Sequence, residues 1–456
     1  VIERQQEMPK VVSVFCGCGG LDLGFKAAGF ELVYACDNDE AAVDCYSRNV
    51  DRNVFVRDVT SNEFHADVAN IGAADIVLGG FPCQGFSKAG PKREADNRNT
   101  LYVEMRRVVA KLRPAVFIAE NVDGIRQNFG GSYLKRILAD FEQIGYDVDH
   151  HIVDAAAYGV PQHRRRVFFV GTRQGSGSPF PWPRPTHRAP TRNGEFKVAE
   201  LEQGGLFGAS VVVQKRERRQ RVRTIKDAIA DLVRLRPGVP DHAVTNAWPK
   251  KYEAVFRAIK QGQKLCNVRH ADTSVYTWQI PEVFGAVTER EVLVLETISR
   301  HRRHKRYGSI PNGNPLPLDE IERLARATGL RKDIASLLAK NYLKDMDGRY
   351  DLKGAMFCSG LFKRPNWNDS SPTVLTNFHN PRYFLHPLED RPFSLRECAR
   401  LQSFPDTFEI TGDGSKVDLV SGYRLIGNAV PPLLSRHFAD AVRQFIAHQP
   451  EPQGVQ

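Results

Sequence analysis

Short apolar runs alternate with stretches of helical spacing through roughly the first 170 residues, and that alternation predicts strands and helices taking turns along an α/β unit. Val11-Val12-Ser13-Val14-Phe15 reads as a first strand and Glu31-Leu32-Val33-Tyr34-Ala35 as a second. Asp75-Ile76-Val77-Leu78, Pro114 to Ala119, Asp149 to Val153 and Val167 to Gly171 supply the later strands. Between them, Leu21 to Gly29, Leu101 to Leu112 and Tyr133 to Ile144 have the spacing of amphipathic helices. Runs apolar on every position suit a parallel sheet covered on both faces. In such a sheet ligands bind at the carboxyl ends of the strands, so the residues following each apolar run become the candidates for chemistry.

The pattern changes near Ser176 to Pro190, where Ser, Gly, Pro and Trp dominate, and this predicts a lobe boundary. From about Thr191 to Leu352 the alternation fades and basic residues rise, with short helices expected near Thr224 to Leu235 and Leu318 to Ala327. Ser394 with Glu397 three residues on predicts a capping box opening a helix through Leu401, and Gly427-Asn428-Ala429-Val430-Pro431-Pro432 opens the last helix. The expected division is a large lobe over 1–185, a small lobe over 186–421, and a segment from 422 to 456 returning to the large lobe.

The formal charge of +11 and pI near 9.2 point to a polyanionic partner. Clustering strengthens that reading: Lys215 to Arg223 and Arg300 to Arg306 are both strongly basic. No apolar stretch approaches the roughly 20 residues of a membrane span, and Val1 to Lys10 are too polar for a signal peptide. A cytoplasmic, nucleoid-associated location is the expectation. The eight cysteines lack paired C-x-x-C spacing, so neither a disulfide framework nor a metal site is predicted.

The candidate chemistry sits where the strands end. Phe15-Cys16-Gly17-Cys18-Gly19-Gly20 is a glycine turn between strand and helix, suited to close approach by a ligand, with a nicotinamide-binding fold as the competing reading. Asp37 stands about 20 residues beyond the turn, where such folds bond a ribose diol, whereas Asp39 reads as a helix cap. Asp58 follows a short strand and suits an adenine contact or a turn. After Gly79-Gly80 comes Phe81-Pro82-Cys83-Gln84-Gly85-Phe86-Ser87, a cysteine presented in a turn rather than packed among apolar residues. The polar stretch Ser87 to Arg98 has the composition of a closing loop. Glu120 and Asn121 end the Pro114 strand on the same edge, and Arg164 and Arg166 enter a strand at alternate positions and share a face.

Together and in this order, these segments resemble the DNA cytosine-5 methyltransferase family of bacterial restriction-modification systems. The matching stretches are Phe15 to Gly20, Asp37, Asp58, Pro82-Cys83-Gln84, Glu120-Asn121-Val122, Gln162 to Arg166, Arg396 to Phe404 and Gly427-Asn428. The resemblance implies a large S-adenosylmethionine-dependent, Rossmann-like lobe, a smaller mixed target-recognition lobe, and duplex DNA in the cleft between them. It implies that Cys83 adds to ring carbon 6 of a flipped-out cytosine, with Glu120 at ring nitrogen 3, Arg164 and Arg166 at the base and its phosphate, and Asn121 fixing the Pro82-Cys83 turn. It implies cofactor contacts from Phe15, Gly17, Gly19, Gly20, Leu21, Asp37, Asn38, Asp58, Val59, Pro82, Leu101, Asn428 and Val430. DNA contacts are expected from Gln84, Ser87, Arg98, Gln162, Arg364 and Thr373. Asp37 stands where the family often has glutamate, and Asn38 where it often has a large apolar residue. No metal is implied, a monomer is expected, and any cognate restriction endonuclease would be a separate chain. The rivals are a transfer RNA cytosine methyltransferase of the same fold, a nicotinamide dehydrogenase, and a catalytically silent DNA-binding protein.

Overall fold

A seven-stranded sheet with strand order β3-β2-β1-β4-β5-β7-β6 carries the amino-terminal part of the chain. The computed structural model describes residues 7–82, 101–126, 131–188, 220–234, 238–245, 248–267, 271–310, 313–353 and 360–448. The sheet is built from β1 (Lys10–Val14), β2 (Glu31–Asp37), β3 (Val54–Val56), β4 (Ile76–Gly79), β5 (Val116–Val122), β6 (Tyr146–Asp154) and β7 (Arg165–Arg173). The first five strands are parallel; β7 runs antiparallel between β5 and β6. Helices α1 (Gly20–Ala27), α2 (Glu40–Asn49), α3 (Asn62–Asn70), α4 (Tyr102–Leu112) and α5 (Ser132–Glu142) alternate with the strands. The chain winds outward from β1 to β3, then starts again beside β1 with β4. The strand order therefore reverses between β1 and β4, which is where a crevice opens in such sheets.

Register decides which residues reach that crevice. Val14 pairs with both Cys36 and Gly79, and Gly79 with Ala119. One residue further along, Phe15, Asp37, Gly80 and Glu120 therefore stand at a common edge. Val11, Ile76, Val116 and Ile118 are fully buried on one sheet face among the residues of α1 and α2, while Val12, Val77 and Phe117 point to the other, toward α3, α4 and α5. Asp39 caps α2 through a bond from the Ala41 amide, as the pattern predicts.

The middle of the chain contains β8 (His187–Arg188), β9 (Gln220–Arg221), α6 (Ile225–Ile229), α7 (Lys251–Ala258), β10 (Lys264–Leu265), β11 (Ser274–Val275), α8 (Pro281–Phe284), α9 (Glu289–His301), β12 (Leu316–Pro317), α10 (Leu318–Ala325), α11 (Arg331–Ala339), β13 (Leu343–Met346) and β14 (Arg349–Leu352). The chain closes with α12 (Leu395–Leu401), α13 (Leu419–Asn428) and α14 (Pro432–Ala447). The capping box at Ser394 and Glu397 is present at the start of α12. The last helix, however, begins at Pro432, because Gly427 and Asn428 instead close α13.

The core over α1 runs past the boundary expected at 421. Ile225, Ile229, Val374, Phe378, Leu395, Leu401 and Phe408 pack with Phe25, Phe168 and Phe438 in one cluster. Residues 276–352 form a separate apolar core, and a smaller one surrounds α7. The α13–α14 segment lies against α1: a methyl group added to Gly20 would stand 2.3 Å from the Val430 carbonyl oxygen, and Ser435 Oγ donates to the Leu21 carbonyl.

Candidate active site

A cavity of about 930 Å³ opens at the β1/β4 reversal, lined from the ends of β1, β2, β4 and β5 and by Arg424, Asn428 and Val430. The glycine turn forms its floor. Phe15 holds a left-handed backbone (φ 57°), a strained place for a bulky residue. Gly17 is also left-handed (φ 55°), and a methyl group added there would meet no atom within 4 Å, so the backbone is open to a ligand at that point. Gly19 answers a different need: an added methyl would lie 2.6 Å from Val50 Cγ2 and 2.8 Å from Tyr46 Cδ2, so α1 and α2 pack this closely only over glycine. Leu21, Val59, Pro82 and Leu101 supply apolar wall.

Asp37 lies at the rim with its carboxylate fixed by two amides. The Gly17 N–H donates to Oδ2 at 2.9 Å and the Asp39 N–H to Oδ1 at 3.0 Å, and each oxygen keeps a second lone pair. Asn38 is exposed at the same rim. Asp58 is exposed and does form a turn, its Oδ1 accepting from the Thr60 amide and hydroxyl at 2.9 and 2.8 Å, which holds its carboxyl below the usual range. Asp22, which the sequence pattern does not single out, is fully buried in the first turn of α1 and lines the cavity. Tyr46 Oη donates to its Oδ1 at 3.1 Å, Oδ2 has no hydrogen-bond partner, and burial raises its pKa to about 6. The only sequence signal was an acidic residue inside an otherwise apolar helix face.

On the β4–β5 side, Glu120 faces Gly80, where an added methyl would stand 3.8 Å from Glu120 Oε2. Arg166 follows from register. It pairs across from Val122, diagonal to Glu120, and its Nε lies 2.9 Å from Glu120 Oε1. That ion pair is out of line for a hydrogen bond, so buried Oε1 has no hydrogen-bond partner. Asn121 Nδ2 donates to the Phe81 carbonyl at 3.0 Å, tying the end of β5 to the residue before Pro82. Cys83, Gln84, Ser87 and Arg98 lie outside the described residues. Among the six described cysteines, all free and buried, burial pushes the thiols of Cys16 and Cys398 well up and that of Cys36 to about 12.

Three expected contacts are turned inward instead. Gln162 is fully buried. Its Nε2 donates to the Leu401 carbonyl and to Gln402 Oε1, and its Oε1 accepts the Val374 amide at 2.7 Å, so its amide ties together segments that would otherwise leave backbone groups unpaired. Arg364 spends all five N–H groups on the protein: on the carbonyls of Ile259, His386, Glu389 and Phe256 and on Asp390 Oδ1. It has no donor left for a phosphate. Arg164 lines the cavity but is 1% exposed, donating to the carbonyls of Gly427 and Asn428 at 3.1 and 3.2 Å. Those bonds anchor α13 to the strand edge, while its Nε is buried without a hydrogen-bond partner and its charge lies near Arg166 and Glu120. Thr373 is partly buried, its Oγ1 donating to the His163 carbonyl at 2.7 Å. Arg165 points to solvent beside Asp123.

The sequence pattern of C-5 cytosine-specific DNA methylases matches residues 9–444. The chain belongs to that family. Members transfer a methyl group to carbon 5 of cytosine in DNA from a donor of the S-adenosylmethionine type. The type II methyltransferase M.AgeI of Thalassovita gelatinovora is 32% identical over 96% of this chain and 100% of its own length. The type II methyltransferase M.DdeI of Desulfomicrobium norvegicum is 30% identical over 95% of this chain and 88% of its own. In fold, the chain resembles a crystal structure described as a DNA modification methyltransferase encoded within an E. coli prophage (TM-score 0.51, 22% identity, 96% and 100% coverage). Among the described residues of this methylase no helix is long and apolar enough to cross a membrane, and no cluster of side chains could hold a metal ion.

Proposed function

We propose that this methylase modifies cytosine within one short duplex sequence by adding the Cys83 thiolate to ring carbon 6, as the modification enzyme of a type II restriction system. The observation that carries the reading is the Glu120–Arg166 pair at the common strand edge, facing Gly80 and therefore a few residues from Cys83. Carbon 5 of cytosine is a poor nucleophile, and thiolate addition at carbon 6 moves electron density onto it. Glu120 would hold a proton at ring nitrogen 3 so that the negative charge of addition is shared there. Arg166 steadies that carboxyl and adds positive charge beside the base. After methylation, loss of the carbon-5 proton and departure of the Cys83 sulfur restore the aromatic ring.

S-adenosylmethionine fits the cavity. It supplies an electrophilic methyl on a sulfonium. Gly17 gives its backbone an open approach, Asp37 has acceptor capacity for the ribose diol, and the unpartnered Oδ2 of Asp22 offers a place for positive charge. Asn428 and Val430, carried there by α13, close the opposite wall. The reading includes a monomer acting without a metal, with any endonuclease on another chain, and the M.AgeI and M.DdeI similarities support the restriction-system assignment. The test is bisulfite sequencing of a plasmid library treated with the purified protein and S-adenosylmethionine. Protection confined to one short sequence, and absent with Cys83→Ala, is expected. Protection in no context, or undiminished with Cys83→Ala, would overturn it.

A further inference from the structure

The separate core at 276–352 has a definite architecture. Its elements run α9, β12, α10, α11, β13, β14, and its strands pair antiparallel in the order β12-β14-β13. Helices α10 and α11 pack on α9 and are joined by residues 326–330, where Arg326 (φ 52°) and Gly329 (φ 67°) take left-handed conformations. The chain then enters a hairpin whose two-residue turn, Asp347-Gly348, has both φ values positive (56° and 75°). A helix, a helix-turn-helix pair and a hairpin wing, in that order, form a winged helix-turn-helix. In helix-turn-helix proteins the second helix of the pair enters the major groove and reads bases from its amino-terminal end.

We infer that α11 and the turn before it form a duplex-DNA-binding surface of this methylase. This rests on the DNA reading above and extends it to a particular helix. The inner face of α11 is committed: Ile334 and Leu337 are buried, and Lys340 Nζ donates to both oxygens of Glu291 at 2.8 Å. The outward face carries Arg331, Lys332, Ala335 and Ala339, all exposed, so two cations lead a surface low enough for a groove floor.

Charge chooses the occupant. From 288 to 353 there are fourteen Lys and Arg against ten Asp and Glu. Most of the basic run at 300–306 is spent on internal carboxylates. Arg302 is buried on Asp351 at 2.7 and 2.8 Å, Arg300 pairs with Glu296, and Arg306 with Glu320. Asp333 pairs with Arg290 and Glu320 also with Arg323. Among the described ion pairs none includes Arg326, Arg331 or Lys332, and these three gather at the turn and the first turn of α11. Cations at a helix amino end oppose the helix dipole, a placement that an incoming phosphate reverses.

The test is the affinity of the full-length protein for a mixed-sequence duplex, measured across salt concentrations for wild type and Arg331→Ser/Lys332→Ser. Lys111→Ser/Lys135→Ser removes the same charge from α4 and α5 and serves as control. Losing two phosphate contacts is expected to weaken binding about tenfold or more at 0.1 M salt and to reduce the slope of log affinity against log salt by about 2. Affinity for S-adenosylhomocysteine should not move. An unchanged slope, or equal losses in the control, would overturn the assignment. A slope lost only at Arg331/Lys332 in a protein that methylates nothing would break the methylase reading and leave the DNA surface standing.

Discussion

Two kinds of buried ion pair occur in this methylase, and they differ in what they leave unused. At the joint that packs 241 and 396–411 together, Arg396 donates to the carbonyls of Pro240, Pro405 and Phe408 and to Asp241 Oδ2, and Asp241 accepts in addition from Ile410, Thr411 N and Thr411 Oγ1. Asp241 fills all four of its acceptor positions there, and Arg396 uses four of its five N–H groups. At the strand edge, Glu120 is buried and Arg166 partly so, yet Glu120 Oε1 lacks a hydrogen bond, as does Asp22 Oδ2 in the lining of the same cavity. Leaving a buried acceptor unsatisfied costs about 1–3 kcal/mol, and the cytosine contact proposed for Glu120 would complete a network that the protein alone leaves open.

Glu120→Gln should break that contrast most strongly. With the proton source at the base removed, single-turnover methyl transfer should fall by about 10²- to 10⁴-fold, measured with labelled S-adenosylmethionine on site-containing duplex, while the melting temperature barely changes. A rate within threefold of wild type would remove Glu120 from the chemistry. Asp241→Ala should behave in the opposite way. Stranding Arg396 in the core is expected to cost about 3–5 kcal/mol in denaturant titrations, with the residual folded fraction methylating normally. Arg166→Met should, like Glu120→Gln, lose rate while the melting temperature barely changes, read in the same two assays.

Protonation sharpens the comparison with opposite signs. His386 is fully buried, and its Nδ1 accepts the amides of Leu388 and Glu389 at 3.2 and 3.1 Å, so the ring is held neutral and burial lowers its pKa to about 4. The unfolded chain takes up that proton near pH 6.5. Its contribution, up to about 3 kcal/mol, is therefore present above pH 6.5 and lost as pH falls toward 4. Asp22, raised to about 6, works the other way: its contribution is present below pH 4 and is lost as pH rises through 6. His386→Asn should flatten the acid side of a stability-against-pH curve. Asp22→Asn should stabilise the ligand-free protein at pH 7, and a destabilised Asp22→Asn would show that its charge is compensated.

The large lobe was legible because its fold is written in local signals. Apolar runs such as Ile76-Val77-Leu78 gave strands and Asp39 gave a cap where the pattern placed it, as Ser394 did further along the chain. Glu120 and Arg166 come together because β7 runs antiparallel to β5, so its first residues lie beside the end of β5, a pairing that the spacing of apolar runs does not record. The inward bonding of Gln162 and Arg364 was not legible because burial is decided by distant segments, such as 374 meeting 162 and 256–259 meeting 364, which no local pattern records. The α9–β14 unit was missed apart from α10, since its strands are two to four residues long and too short for an alternating signal. Its one strong cue, Asp347-Gly348 between Met346 and Arg349, is a two-residue hairpin signature that the surrounding polar sequence obscures.

Asp58 offers the finest division, because one carboxylate oxygen builds a turn and the adenine contact expected of the residue would fall to the other. Oδ1 is occupied by Thr60, whereas Oδ2 has no partner among the described hydrogen bonds and lies on the cavity rim. Asp58→Ala should lose the turn, about 0.5–1.5 kcal/mol, together with any contact to the adenine amino group. Asp58→Asn retains an acceptor for Thr60, so its stability should stay near wild type while calorimetric affinity for S-adenosylhomocysteine drops several-fold. Equal affinity in wild type and Asp58→Asn would reduce Asp58 to a turn residue. A loss in Asp58→Asn as large as in Asp58→Ala would instead show that the carboxylate acts on the ligand independently of the turn it builds.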